Sequence, residues 1–206
     1  MSKATPVYLE VGVKRVFASA LDWPGWTRSG KNEKAALEEL AVYTSRYGAV
    51  LKRAGIAFPA TADFEIAERV KGNATTDFGA PAMPARSDSR PLTAADGKRL
   101  AELLSAAWKT FDEVVAEAPA ELRKGPRGGG RDRDQIREHV EGAELAYAGK
   151  VGLRLHEPDR QALLETLGRP SKGGPLKPNG WNARYAARRL AWHALDHAWE
   201  IEDRSE

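Results

Sequence analysis

The chain has no cysteine. That absence removes disulfides, thiolate metal sites and cysteine nucleophiles at once. Any metal must be held by His, Asp or Glu, and any thiol chemistry needs a thiol brought in as a substrate. Long hydrophobic runs are missing too. No apolar stretch approaches the ~20 residues of a membrane span. The start, Met1-Ser2-Lys3-Ala4-Thr5-Pro6, lacks the apolar core of a signal peptide, so the expectation is a cytoplasmic protein with no membrane contact. Charge of one sign is also scarce. The net charge is +3, with 13 Lys/Arg against 10 Asp/Glu up to Pro91 and 19 against 19 from Leu92 onward. A neutral second half offers no basic stripe, and there is no strong signal for nucleic acid.

What is present is ordinary for a globular chain of 206 residues: 42% hydrophobic and 30% charged. The expected class is α+β. Val7–Val13 and Val16–Leu21 read as a hairpin, Asp22-Trp23-Pro24-Gly25-Trp26 as a turn, and Trp26–Ser29 as a short third strand. Asn32 reads as the N-cap of one helix running to about Arg53, and Phe64–Val70 as a fourth strand. Residues 1–72 thus form a small α+β segment, 73–91 a connector, and 92–206 a helical bundle.

In that bundle Thr93 and Asp96 resemble a capping box ahead of a helix striped by Leu100, Leu103, Leu104, Ala107 and Phe111. The glycine-rich break at 125–131 follows no strand and reads as a linker rather than a phosphate cradle. A helix over about Asp132–Lys150 carries Ile136, His139, Val140, Ala143 and Tyr147 on one stripe. A short helix follows over Asp159–Gly168. The last helix, Trp181–Asp203, carries Ala186, Leu190, His193, His197 and Ile201 on its stripe, with Arg184, Arg188, Asp196 and Asp203 on a face expected to be solvated.

Three of the four histidines, His139, His193 and His197, therefore fall on inward stripes. A buried imidazole needs a partner for each ring nitrogen. Core histidines bonded to carbonyls or carboxylates meet that need, and so does a metal, because an i, i+4 pair can present two nitrogens to one ion. Three neutral imidazoles leave coordination positions open, as catalytic sites do. An ion so held can acidify water, polarise a carbonyl or activate an incoming thiol. If both helices run the same way, the three rings lie within roughly two turns of a common level.

The segments Ile136-Arg137-Glu138-His139-Val140-Glu141-Gly142-Ala143-Glu144 and Arg188-Arg189-Leu190-Ala191-Trp192-His193-Ala194-Leu195-Asp196-His197-Ala198-Trp199-Glu200-Ile201 resemble the DinB/YfiT-like superfamily, over about residues 92–203. The resemblance implies a four-helix bundle with His139, His193 and His197 as metal ligands. It further implies zinc or nickel, or iron as in some relatives, and often a homodimer. Relatives include low-molecular-weight-thiol-dependent transferases and isomerases. The first 72 residues resemble the small fold of HicB-type antitoxins, which can cap a nuclease or touch nucleic acid; packing of this segment on the bundle is the plainer alternative.

Beyond the triad, Arg189, Tyr185 and Gln135 are candidate substrate-binding residues, lining the mouth if the pocket opens toward the helix starts. Glu144 and Glu200 are candidates for a general base or for fixing an imidazole tautomer. The expected function is a metal-dependent transferase, isomerase or hydrolase acting on a small molecule, with a low-molecular-weight thiol as the candidate cosubstrate. The alternative is a non-catalytic binding module, antitoxin-like or stress-related, with a vestigial metal site.

Overall fold

A computed structural model describes residues 4–59, 61–125 and 129–205. The first three residues of the start and part of the glycine-rich break at 125–131 lie outside that description. The chain is α+β, as the pattern of its elements predicts. Strands β1 (Thr5–Val11), β2 (Val16–Ala20), β3 (Thr27–Gly30) and β4 (Phe64–Lys71) form one sheet in the order β3-β2-β1-β4. The first three pair antiparallel, and β4 returns to lie parallel to β1.

Between β3 and β4 the helix expected as one is two, α1 (Glu33–Val42) and α2 (Thr44–Arg53). The break falls at Tyr43, whose ring packs 4.9 Å from that of Trp199 and beneath the Arg28 guanidinium. Thr44 then turns its hydroxyl back to donate to the Ala41 carbonyl. Local backbone competition of this kind ends a helix without proline or glycine. The stretch read as a connector also carries structure: α3 (Ala74–Phe78), capped by Asn73, and a 3-10 turn over Arg86–Ser89.

Helices α4 (Ala94–Glu117), α5 (Arg133–Lys150), α6 (Arg160–Leu167) and α7 (Ala183–Ser205) follow. Helices α4 and α7 run parallel: Arg184 reaches Asp96 near their starts, while Val114, Glu117, Glu202 and Ser205 share a groove at their ends. Helix α5 runs the other way. Its last residue, Lys150, accepts a hydrogen bond from the Trp181 amide ahead of α7, and its first half meets the far half of α7. The same-direction premise for α5 and α7 is therefore corrected.

Every residue of β2 is buried because both sheet faces are covered. Val7, Leu9, Ala18 and Ala20 belong to the core with Leu40, Tyr47 and Leu51 of α1 and α2. The alternate residues face α7: the Phe17 ring lies 6.1 Å from that of Trp192, and Tyr8 lies under the Arg188 guanidinium. The side of α7 expected to be solvated is thus the surface on which the sheet sits. Arg188 is buried and paired with buried Asp88, Asp196 pairs with Arg28, and Glu202 and Asp203 with Arg46. Alanines at 183, 186, 187, 191, 194 and 198 let α7 be approached from both sides.

Candidate metal centre

The site is made by antiparallel α5 and α7. Sequence spacing places His193 and His197 one turn apart, and the reversed α5 brings His139 to the same level. One ligand atom from each of the three lies within 4.8 Å of the others. The Nε2 atoms of His139 and His193 are 3.3 Å apart. Two nitrogens on a tetrahedral ion with ~2.05 Å bonds stand about 3.3 Å apart, so this edge has the right length. Ring centroids are 5.0, 5.0 and 4.7 Å apart, at interplanar angles of 65°, 87° and 88°. The rings meet edge to face instead of stacking, which leaves one ligand atom of each close to those of the other two.

Surroundings favour the neutral form that a ligand requires. His193 is 7% exposed, and burial, with the nearby His197 and Arg189, pushes its pKa down to about 2. Burial likewise lowers His139, which lies at the half-buried edge of α5. The fully buried positions of that helix are Ile136, Val140, Glu144 and Ala148, so His139, Ala143 and Tyr147 border the core and open the site on one side.

His197 directs Nδ1 at a Glu200 carboxylate oxygen 2.8 Å away, which leaves its Nε2 for the cluster. Glu200 is held in turn by Arg204 at 2.7 Å, and the His197 hydrogen bond keeps its carboxyl below the ordinary range. A carboxylate that fixes the tautomer and aim of a ligating imidazole is the usual support of a metal site. The residues present therefore fit a divalent ion.

The depressed imidazoles give a pH prediction. Below about pH 6.5 the unfolded chain takes up protons at His139 and His193 that the folded chain does not. Stability of the metal-free protein is fully present above that pH and falls as pH drops through it. Thermal melts at pH 7.5 and pH 5.5 should show the loss, and His193→Gln should reduce it. An equal loss in that variant would contradict the assignment.

The other candidates are placed differently. Glu144 is buried, but both of its oxygens accept from Arg160 at 2.9 Å; it ties α5 to α6, and its role at the histidines is corrected. Gln135 is exposed and its side-chain oxygen accepts from the Asp132 amide, capping α5. Because the helices are antiparallel, it lies on the opposite side of the triad from Arg189 and Tyr185, so no common mouth includes all three. Tyr185 is buried, edge-on to Trp181 at 5.0 Å. Arg189 lies 4.6 Å from the Trp192 ring and 5.4 Å from that of Tyr147, and its Nη1 is buried with no partner among the described residues. Tyr147 and Trp192 wall His193 at 6.0 and 5.9 Å. On the α5 stripe Tyr147 reads as core packing; its place two turns beyond His139 on that stripe is the signal in the sequence that it borders the site.

Fold and cluster together define the class: an α+β protein with three histidines positioned to hold one metal ion. The chain matches no family model, no curated protein and no solved structure.

Proposed function

We propose that the protein is a metal-dependent enzyme of the DinB/YfiT-like kind, acting on a small molecule at the site formed by His139, His193 and His197. The observation that carries this reading is the convergence of three imidazoles, one from α5 and two from α7, on one point beside a half-open edge. A divalent ion, zinc, nickel or iron, would supply Lewis acidity there to water, a carbonyl or a thiol.

The chain's own residues supply the rest. Glu200 orients His197. Tyr147 and Trp192 restrict water around His193, and the Arg189 guanidinium, packed on both of those rings one turn away, adds positive charge beside the site. Having no thiol of its own, the chain would use an external low-molecular-weight thiol for transfer or isomerisation; hydrolysis needs none.

Elemental analysis of protein purified without added metal tests the reading. The expected result is about one equivalent of a single transition metal per chain. Less than about a tenth of an equivalent, with no uptake of added zinc, nickel or iron, would replace it with the non-catalytic binding module.

A further inference from the structure

The support of His197 continues past Glu200 into a different part of the chain. His197, Glu200 and Arg204 follow one another at intervals of three and four, so they share one face of the last turns of α7. His197 donates from Nδ1 to Glu200 Oε2 at 2.8 Å, and Arg204 donates from Nη1 to the other oxygen, Oε1, at 2.7 Å. Arg204 is in turn held from its far side, where its Nε donates to the backbone carbonyl of Arg123 at 2.9 Å. Arg123 belongs to the segment between α4 and α5, 81 residues earlier.

That segment is fastened to the end of α7. The Arg123 amide donates to the Arg204 carbonyl at 2.9 Å, and the Arg123 guanidinium to the Asp203 carbonyl at 2.7 Å. The last carbonyls of a helix have no partner within it, so these two bonds satisfy groups left open by the helix itself. Lys124 reaches the Gly130 carbonyl and Asp132, and the Gly125 amide meets the Gly129 carbonyl at 2.8 Å, which ties the two limbs of the segment together. Gly130 then packs against the Arg204 guanidinium. A Cβ there would stand 2.8 Å from Arg204 Nη2, and its φ of +122° lies in a region that glycine occupies without strain.

Magnitude decides what Arg204 does. An i, i+4 ion pair near the surface, standing alone, is worth too little to hold a carboxylate still. Arg204 does not stand alone, because its planar fork bonds Glu200 with one nitrogen and a backbone carbonyl with another. A carboxylate with one oxygen fixed in this way presents the second in a set direction. That second oxygen selects which nitrogen of His197 carries the proton. We propose that Arg204 is a positioning residue that ties the α4–α5 segment to the metal centre, so that the path of this backbone sets the tautomer and aim of His197. The effect on metal affinity rests on the reading of the three histidines as a metal site; the tautomer is a property of the metal-free chain as well.

Nitrogen–proton correlation spectra of the imidazoles in the metal-free full chain, run beside chelator competition with zinc, test the coupling. In the wild type His197 should carry its proton on Nδ1. Arg204→Lys keeps the charge but replaces the fork with one ammonium nitrogen, and Gly130→Ala crowds the guanidinium from outside the centre. Each should give a mixed His197 tautomer and weaken zinc about tenfold, the low end for supporting groups, with unchanged circular dichroism. Arg123→Ala, which leaves the Arg123 carbonyl in place, should have a smaller effect than either. Wild-type His197 protonated on Nε2, or Arg204→Lys with the wild-type tautomer and affinity, would overturn the coupling. A tautomer that shifts in both variants while the wild type takes up no zinc would support the coupling and remove the metal centre instead.

Discussion

On the proposed reading, His193→Ala is expected to lower metal affinity by about a thousandfold or more and to remove the proposed metal-dependent activity with it. The reason is geometric. His193 contributes the most buried of the three imidazoles and forms the 3.3 Å edge with His139. With it gone, two rings on different helices remain, and no i, i+4 pair is left. His139→Ala leaves that pair intact but opens the third position to water, so it should retain weak metal binding and lose the proposed activity.

Glu200→Gln grades the effect. It keeps the volume and removes the charge that fixes His197, and supporting groups of this kind are worth about 10–100-fold in affinity. Competition titration with a chromophoric chelator, run beside circular dichroism, separates the three. Equal affinity in the wild type and His193→Ala would remove the metal centre from this protein.

Arg188→Ala destabilises the fold by about 3–5 kcal/mol. The cause is the aspartate left behind. Asp88 is 2% exposed, and its other oxygen accepts from the Ala85 amide. Without Arg188 it is a buried charge that must protonate or drag in water. The pair also joins the turn ahead of α4 to α7, at 100 residues' separation. For a chain of this size the loss lowers the melting temperature by on the order of 10 °C. Arg188→Met combined with Asp88→Asn should recover most of it, because no unpaired charge remains. A double variant as unstable as the single would show that the guanidinium acts by packing over Tyr8 and not by compensating Asp88.

Periodicity was enough to find the parts. Spacing of three and four around His193 and His197 placed both on one face of a helix, and the same count on the preceding long helix put His139 on the edge of its stripe. Alternating β-formers, the Pro24-Gly25 turn and the asparagine and threonine caps located strands and helix starts to within a few residues. These features depend on neighbours a turn or less away, and local spacing records them.

Direction and partnership were not recorded there. Nothing local states that α5 opposes α7, and that reversal separates Gln135 from Arg189 while bringing the three imidazoles level. Nor does one helix's own pattern say what covers its polar side. Arginine and aspartate at 188, 196 and 203 look the same on a solvated face as on a covered one whose partners, Asp88 of the 3-10 turn, Arg28 of β3 and Arg46 of α2, lie a hundred residues or more away in the chain. The sequence by itself determined which apolar residues and histidines share a helix face and which of them could ligate. Only the tertiary structure decided which carboxylates are spent on arginines, which one supports a histidine, and which guanidinium nitrogens are left without an acceptor. Those outcomes depend on distances between elements that local periodicity does not encode.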